Sequence, residues 1–281
     1  MAPKPGGNFI DCTVGEGGHA LAILKMTAPD GRVIGIDRDA GMVERLQESA
    51  KALDVNDRFL VHHGNFSEIG GIAKQYDFSP LHGILFDFGM SSWQLEESRA
   101  GFSFRNIEPL DMRFDRTRDT ETAASIVNSW PEESIARIIY EFGEERYSRR
   151  IAKEIVVSRK KQRILTTDEL VGIILRAVPR KQKGIHVATR TFQALRIAVN
   201  SELENVEKGI TDAINLLSTG GRVAAISFHS LEDRRVKQIF REGSSSGLLK
   251  ILTKKPVTPS DEETRGNPRA RSAKLRVAEK I

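Results

Sequence analysis

The sequence predicts an α/β protein, a mostly parallel sheet interrupted by an all-helical insertion. Three observations predict it. Up to Phe88, short apolar runs alternate with segments of helical period. Residues 121–186 then read as helices only, and a buried-strand pattern returns at Arg222–Phe228 (RVAAISF). Strands separated by helices form parallel βαβ units with right-handed crossovers.

The elements follow in order. Asn8–Val14 is an apolar run ending in glycines, Ala20–Met26 a helix and Arg32–Asp37 a buried strand. Gly41–Leu53 is amphipathic, with Met42, Val43, Leu46 and Ala50 on one face. Phe59–His62 is a strand, Ile69–Tyr76 a helix and Leu81–Phe88 a strand. Ser91–Asp111 has no period and reads as a loop. Helical spacing then marks Glu133–Phe142 and Tyr147–Ser158, and a Thr166/Glu169 capping box opens Leu170–Val178. Pro179 ends that helix before a basic loop, Arg180–Gly184. Thr189–Ile210 reads as one long helix. After Arg222–Phe228 come a helix, Leu231–Phe240, a loose loop, Gly243–Gly247, and two strands, Leu248–Thr253 and Ser272–Glu279. The expected domains are 1–110 with 200–281 for the sheet, and 111–199 for the insertion.

A chain of 281 residues with 39% hydrophobic residues buries a core without staples. Its single cysteine excludes a disulfide framework and a cysteine-based zinc finger. No apolar run approaches the roughly 20 residues of a membrane span, and the N-terminus has no apolar signal core. The expectation is a soluble, cytoplasmic protein with no membrane partner. Net charge is +5, unevenly spread. Residues 113–200 hold 18 Lys/Arg against 11 Asp/Glu, and residues 250–281 hold 9 against 4. The remainder is acidic, 16 against 23. Two basic segments suggest a polyanion partner.

The first strand leads into Asp11-Cys12-Thr13-Val14-Gly15-Glu16-Gly17-Gly18-His19-Ala20. Glycines at a strand-to-helix turn let a ligand approach free N–H groups at the helix N-terminus. Asp37 ends the second strand, where a carboxylate accepts both hydroxyls of a ribose. A nicotinamide dinucleotide and S-adenosylmethionine both fit, and a packing turn without ligand would use the same glycines. Asp11, four residues before Gly15, favours the cationic methionine cofactor over a pyrophosphate. Ligands bind beyond the carboxyl ends of such strands. The third strand ends near Phe66, which could stack on an adenine or pack in the core. His62 and His63 are adjacent and point apart, so they are not a metal pair. The fourth strand ends at Asp87, and a buried strand-end carboxylate is costly unless paired or functional.

These segments together resemble the ribosomal small-subunit methyltransferase H family. The matching stretches include Asp11–His19 (DCTVGEGGH), Gly35–Asp39 (GIDRD), Gly83–Gln94 with its Leu95 (GILFDFGMSSWQL) and Gly101–Phe104 (GFSF). Pro109–Arg113 (PLDMR), Phe142–Glu145 (FGEE), Ala188–Asn200 (ATRTFQALRIAVN), Ser227–Arg234 (SFHSLEDR) and Asn267–Leu275 (NPRARSAKL) continue it over nearly the whole chain. Trp93 and Glu96 replace the family's usual Pro and Asp, Ala100 stands where an Arg precedes GFSF, and Phe114 follows PLDMR. The family's His-x-Pro-Val-Leu-like leader is missing from this sequence, which bears on the N-terminal cover of the site and not on its chemistry.

The resemblance implies a class I (Rossmann-like) S-adenosylmethionine-dependent methyltransferase with an inserted all-helical domain. Its reaction is methylation of the exocyclic N4 of a cytidine in 16S rRNA, in the decoding region. It implies cofactor contacts at Gly17, Gly18, His19, Asp37, Phe66, Asp87 and Gln94, of which Gln94 rests on resemblance alone. Cytosine's amine is a poor nucleophile because its lone pair is delocalised, so an enzyme must orient it and accept from its N–H groups. The Asp/Asn-Pro-Pro-aromatic motif of many amino-methyltransferases is absent from the fourth strand end. Asp87, with backbone carbonyls of Phe88–Met90, is the candidate substitute, followed by Asp111 and His229. A hydrolase triad of Ser227, His229 and Asp233 lacks a nucleophile elbow. No Cys/His cluster has ligand spacing, so no metal is expected.

Expected partners are small-subunit rRNA or the assembled 30S subunit, with a homodimer left open. The candidate RNA contacts are the basic run from Arg146 to Arg163, then Arg180, Lys181 and Lys183, then Arg269, Arg271, Lys274 and Arg276. Competing readings are a methyltransferase acting on protein or a small molecule, and a catalytically idle RNA-binding factor.

Overall fold

The computed structural model describes residues 1–55, 57–179 and 186–281; the basic loop with Arg180, Lys181 and Lys183 lies outside the described residues. The chain divides into two compact units, Met1–Gly89 with Leu203–Ile281, and Met90–Glu202.

The first unit opens with β1 (Phe9–Asp11), α1 (Gly18–Met26), β2 (Val33–Asp37), α2 (Ala40–Ala52) and β3 (Phe59–His63). A 3-10 turn (Phe66–Glu68), α3 (Ile69–Gln75) and β4 (Gly83–Asp87) follow. The second unit holds α4 (Ser92–Glu96), α5 (Ala123–Ser129), α6 (Glu132–Glu141), α7 (Ser148–Arg159), α8 (Thr167–Ala177) and α9 (Thr189–Asn200). The chain then runs through α10 (Glu202–Leu216), β5 (Arg222–Ser227), α11 (Ser230–Ser245) and β6 (Leu249–Ile251). It ends with α12 (Asp261–Gly266), a second 3-10 turn (Pro268–Ser272) and β7 (Lys274–Lys280).

Among the described residues, seven strands lie in the order β3-β2-β1-β4-β5-β7-β6. The first five are parallel, and β7 runs antiparallel to both β5 and β6. This is the mostly parallel, Rossmann-like sheet that the sequence predicts. Alternation along the strands feeds two cores. Ile10, Ile34, Ile36, Ile84 and Phe86 pack with Ile69 and Ile72 of α3, Ile210 of α10 and Val236 of α11. Phe9, Val33, Phe59 and Val61 pack with Leu24 of α1 and Leu46 of α2. Helices therefore cover both faces, as a parallel sheet requires. Asp11 pairs in register with Gly35 and Leu85, so β2 and β4 each run two residues further, to Asp37 and Asp87. All three acids lie at one edge, the carboxyl edge.

The expected helix Thr189–Ile210 is two helices. Ser201 sits at φ 48°, in the left-handed region, which breaks the helical path. Asn200 fixes the break: its Nδ2 donates to Met112 O at 2.7 Å and its Oδ1 accepts from Phe114 N at 2.9 Å. The Gly243–Gly247 patch is not wholly loop, because α11 continues through Ser245. Gly243 lies against Leu249 of β6 and takes the Leu248 amide on its carbonyl, which holds the last turn. The short α4 lies inside the segment expected to be loop. Ser91 and Gln94 form its capping box, a pattern present in the sequence as Ser-x-x-Gln.

The second unit has its own core, built from Leu110 and Met112 with Ile126, Ile139, Ile155, Ile174 and Leu195 among others. GFSF and PLDMR interlock there. Gly101, at φ 76°, brings its Cα so close to Pro109 O that an added Cβ would lie 2.3 Å from it. Its amide donates to the buried Glu108 at 2.9 Å, and Phe114 stacks on Phe102 with centroids 5.1 Å apart.

Among the described residues, no helix is long and apolar enough to cross a membrane.

Candidate active site

The glycine loop joins β1 to α1 through Gly15 (φ 48°) and Gly17 (φ 84°), conformations that favour glycine. Gly17 is the N-cap of α1, and no side chain caps that terminus. A Cβ at Gly17 would lie 2.7 Å from Leu46 Cδ1, whereas one at Gly18 would meet nothing within 4 Å. The first turn therefore presents unpaired N–H groups beside open space.

Asp37 fastens the loop. Its Oδ2 accepts from Gly15 N and its Oδ1 from Asp39 N, both at 2.9 Å. Burial pushes its carboxyl above the ordinary value, against the pull of those amides. Arg38 also bonds to it through its backbone, and a carboxylate has about four acceptor positions, which leaves room for a hydroxyl donor. Asp87 is held at its backbone, where its N–H donates to Thr13 Oγ1 at 2.7 Å. Its Oδ1 accepts from Gly89 N at 3.4 Å, and its Oδ2 lies 3.6 Å from His19 Nε2. The Asp87 carboxylate beside it holds the His19 imidazole above its usual pKa, although burial opposes it. Asp11 is 1% exposed; its Oδ1 accepts from Thr13 N at 3.2 Å, and its Oδ2 has no hydrogen-bond partner among the described residues.

Phe66 sits just beyond β3, partly buried. It meets Phe86 edge-on at 5.6 Å and Phe88 at 5.9 Å. Gly209 of α10 comes so close that a Cβ there would lie 2.6 Å from the ring. One edge of the sheet thus gathers Gly17, Gly18, His19, Asp37 and Asp87, with Phe66 at the end of β3. An orphaned buried carboxylate oxygen, an open helix N-terminus and a strand-end acid fit a cationic, ribose-bearing cofactor.

The other candidates stand in different settings. Gln94 is in the second unit, where its Oε1 accepts from Ser91 N at 3.0 Å. Asp111 is clamped there: Arg113 donates to Oδ1 at 2.7 Å and Oδ2 at 2.9 Å, and Arg116 stands 3.7 Å away. Burial would raise its carboxyl, but the two guanidiniums outweigh it and hold it below the ordinary value. His229, in the first unit, caps α11. Its Nδ1 accepts from Glu232 N at 3.3 Å, and its Nε2 lies 3.0 Å from Glu232 Oε1. Asp233 pairs with Arg276 at 2.7 Å and Lys274 at 3.5 Å, and Ser227 Oγ donates to Lys274 O at 3.4 Å. The three residues of the conceivable hydrolase triad are thus engaged separately.

Sequence reasoning missed Thr13 as the support of Asp87 and the unpartnered oxygen of Asp11. Nothing in the local pattern marks either, because both depend on neighbouring strands. The basic residues also divide. Arg149, Arg150, Lys153, Lys160, Lys161 and Arg163 are exposed, whereas Arg159 donates to Val127 O and Trp130 O and Arg276 is buried on Asp233.

The chain matches the model of the MraW methylase family over residues 1–281. It is 50% identical over 290 residues to the ribosomal RNA small subunit methyltransferase H of Synechocystis sp., covering 100% of this chain and 90% of that protein. It is 46% identical over 296 residues to the protein of the same name from Thermomicrobium roseum, again covering 100% and 90%. A third, from Persephonella marina, is 48% identical over 275 residues, covering 97% of this chain and 92% of the relative. With strand order, glycine loop and full-length similarity in agreement, the chain belongs to the MraW methylase family.

Proposed function

We propose that this protein transfers a methyl group from S-adenosylmethionine to the exocyclic N4 of a specific cytidine in the decoding region of small-subunit rRNA. The observation that carries the choice of cofactor is the set of three acids, Asp11, Asp37 and Asp87, around an open helix N-terminus. They oppose the charges of a pyrophosphate and suit a cationic donor. The names of the relatives support small-subunit rRNA as the substrate.

Bound S-adenosylmethionine supplies an electrophilic methyl on a sulfonium. The chain's own residues position what reacts with it. Asp37 accepts from the ribose hydroxyls, and Gly17 and Gly18 admit the ligand to the α1 N-terminus. Asp87, steadied by Thr13 and His19, accepts from the cytosine amine, keeps its lone pair directed at the methyl and takes the proton that N4 gives up on methylation, passing it to solvent. Most of the rate comes from this positioning. The exposed cations of α7 and the residues after it track RNA phosphates, which give affinity rather than sequence choice. A flipped, unstacked base supplies the choice.

The test is transfer of labelled methyl to free 16S rRNA, to 30S subunits and to a protein fraction, followed by nucleoside mapping. N4-methylcytidine at one site supports the proposal. Label in protein, or on another base, removes it.

A further inference from the structure

Asp11 is one of the acids around the loop, yet it makes none of the contacts assigned in the proposed reaction. It closes β1, is out of solvent, and leaves Oδ2 unpartnered among the described residues. The groups that face it are Asp37 from β2, Asp87 from β4 and His19 from α1, with Cys12 beside it on its own strand. Burial keeps the Cys12 thiol protonated. An ionised carboxylate at this point lacks water, lacks a partner for one oxygen and is repelled by two neighbouring acids. Burial pushes the Asp11 carboxyl up to about 7, with the Thr13 amide and His19 pulling it down and Asp87 and Asp37 adding to the rise.

We propose that Asp11 is a proton-linked charge sensor: it carries a proton while the glycine loop is empty and releases it when a cationic ligand binds there. The inference rests on reading that loop as the S-adenosylmethionine site. On binding, the Oδ–H bond breaks, the proton passes to buffer, and the ligand's positive charge stabilises the carboxylate left behind. After methyl transfer the sulfonium becomes a neutral thioether, and Asp11 regains part of its proton. Donor affinity then rises with pH more than product affinity does, so alkaline conditions sharpen the preference for donor over S-adenosylhomocysteine.

Calorimetry in buffers of different ionisation enthalpy counts the protons. For a group half-protonated near pH 7, S-adenosylmethionine should release about 0.9 proton at pH 6, about half at pH 7 and about 0.1 at pH 8. Its Kd should tighten about tenfold from pH 6 to pH 8. S-adenosylhomocysteine should release less. Asp11→Asn should abolish the release near pH 7. Should Asp11→Asn fail to fold, carbon-13 NMR of aspartate carboxyls in the wild-type protein decides. An Asp11 carboxyl resonance with a midpoint near pH 7 in the free protein that is ionised throughout in the complex supports the sensor; an Asp11 carboxyl already ionised in the free protein overturns it. Binding without proton release, or release that survives Asp11→Asn, also overturns it and leaves the cofactor reading standing. No binding of S-adenosylmethionine at any pH would overturn both.

Discussion

Asp11 in the sheet unit and Asp111 in the helical unit are both aspartates drawn away from solvent, and their surroundings treat them oppositely. Asp111 is met by two guanidiniums, and both its oxygens are bonded. Asp11 is met by two further acids and keeps one oxygen unbonded. An acid whose charge is already balanced stabilises its own unit. An acid left unbalanced costs the empty protein stability and gains value when a cation arrives. Burial alone therefore does not mark a ligand site; the sign of the neighbours does.

The largest expected effect tests that cost. Asp11 has its folded pKa raised, so the folded chain binds a proton that the unfolded chain lacks between about pH 4 and about pH 7. The stability this lends is present below the unfolded value and is lost as pH rises through the folded one. Asp11→Asn, which cannot ionise, should make the empty protein more stable than wild type at pH 8. Three pH units at about 1.36 kcal/mol each set the ceiling near 4 kcal/mol. The gain should fade toward pH 4 in denaturant unfolding. An equal gain at both pH values breaks the comparison.

Asp37 comes next. It already accepts from the backbone of Gly15, Arg38 and Asp39, and ribose hydroxyls would add to these bonds. Asp37→Ala should weaken S-adenosylmethionine binding by one to two orders of magnitude, about 1.5–3 kcal/mol for hydrogen bonds to a charged group. Unchanged affinity in calorimetry removes Asp37 from the site.

For Asp111 the sign is reversed. Its folded pKa is lowered, so its contribution is present above the unfolded value near 3.9 and is lost as pH falls through the folded one. Asp111→Ala should cost about 2 kcal/mol at pH 7, the scale of charge-assisted hydrogen bonds, and progressively less as pH falls through the folded value. A variant of full stability that no longer transfers methyl would instead move Asp111 into the cytosine pocket and erase the contrast.

Much of this was legible in the sequence, for a physical reason. Strand and helix periods are local, so the run from Phe9 to Asp87 and the Thr166/Glu169 cap could be read from spacing. The glycine loop and Asp37 were legible because positive φ and a strand-end acid leave residue signatures. The break at Ser201 was not, since Asn200 makes it through bonds to Met112 and Phe114, far back in the chain. The pairing of Arg276 and Lys274 with Asp233 was equally hidden, and it withdraws two cations from a run that looks free in sequence. The state of Asp11 depends on which strands flank β1, and residue order alone does not give that.

Asp87 tests the sheet side at the reacting centre. Asp87→Asn keeps the shape and removes the charge that faces His19. The single-turnover methyl-transfer rate should fall at least about tenfold, roughly 1.4 kcal/mol of barrier, with RNA affinity little changed. A wild-type rate with both substrates saturating would leave Asp87 a binding or packing residue.

The smallest effect on the protein itself is expected at Lys160, Lys161 and Arg163, and it sharpens the comparison from the helical side. All three are exposed where α7 ends. Arg159, next in sequence, is bonded to backbone carbonyls and is left in place. Replacing the three together by Gln should change stability by no more than about 0.5 kcal/mol, as for surface positions without special contacts. Cofactor affinity should also stay unchanged, because the acids of the sheet edge are untouched. RNA affinity should respond differently. If each cation neutralises one phosphate, the slope of log K against log salt should lose about 2 to 3, at about 0.7 per contact on single strands and 0.9 on duplex. Binding measured from low to moderate salt reads that slope directly. A slope that stays steep in the triple variant places the phosphate contacts elsewhere, on Arg149, Arg150 and Lys153 first. An RNA affinity independent of salt in the wild-type protein would contradict phosphate contact by this unit altogether, and would leave its exposed cations as a solvated face.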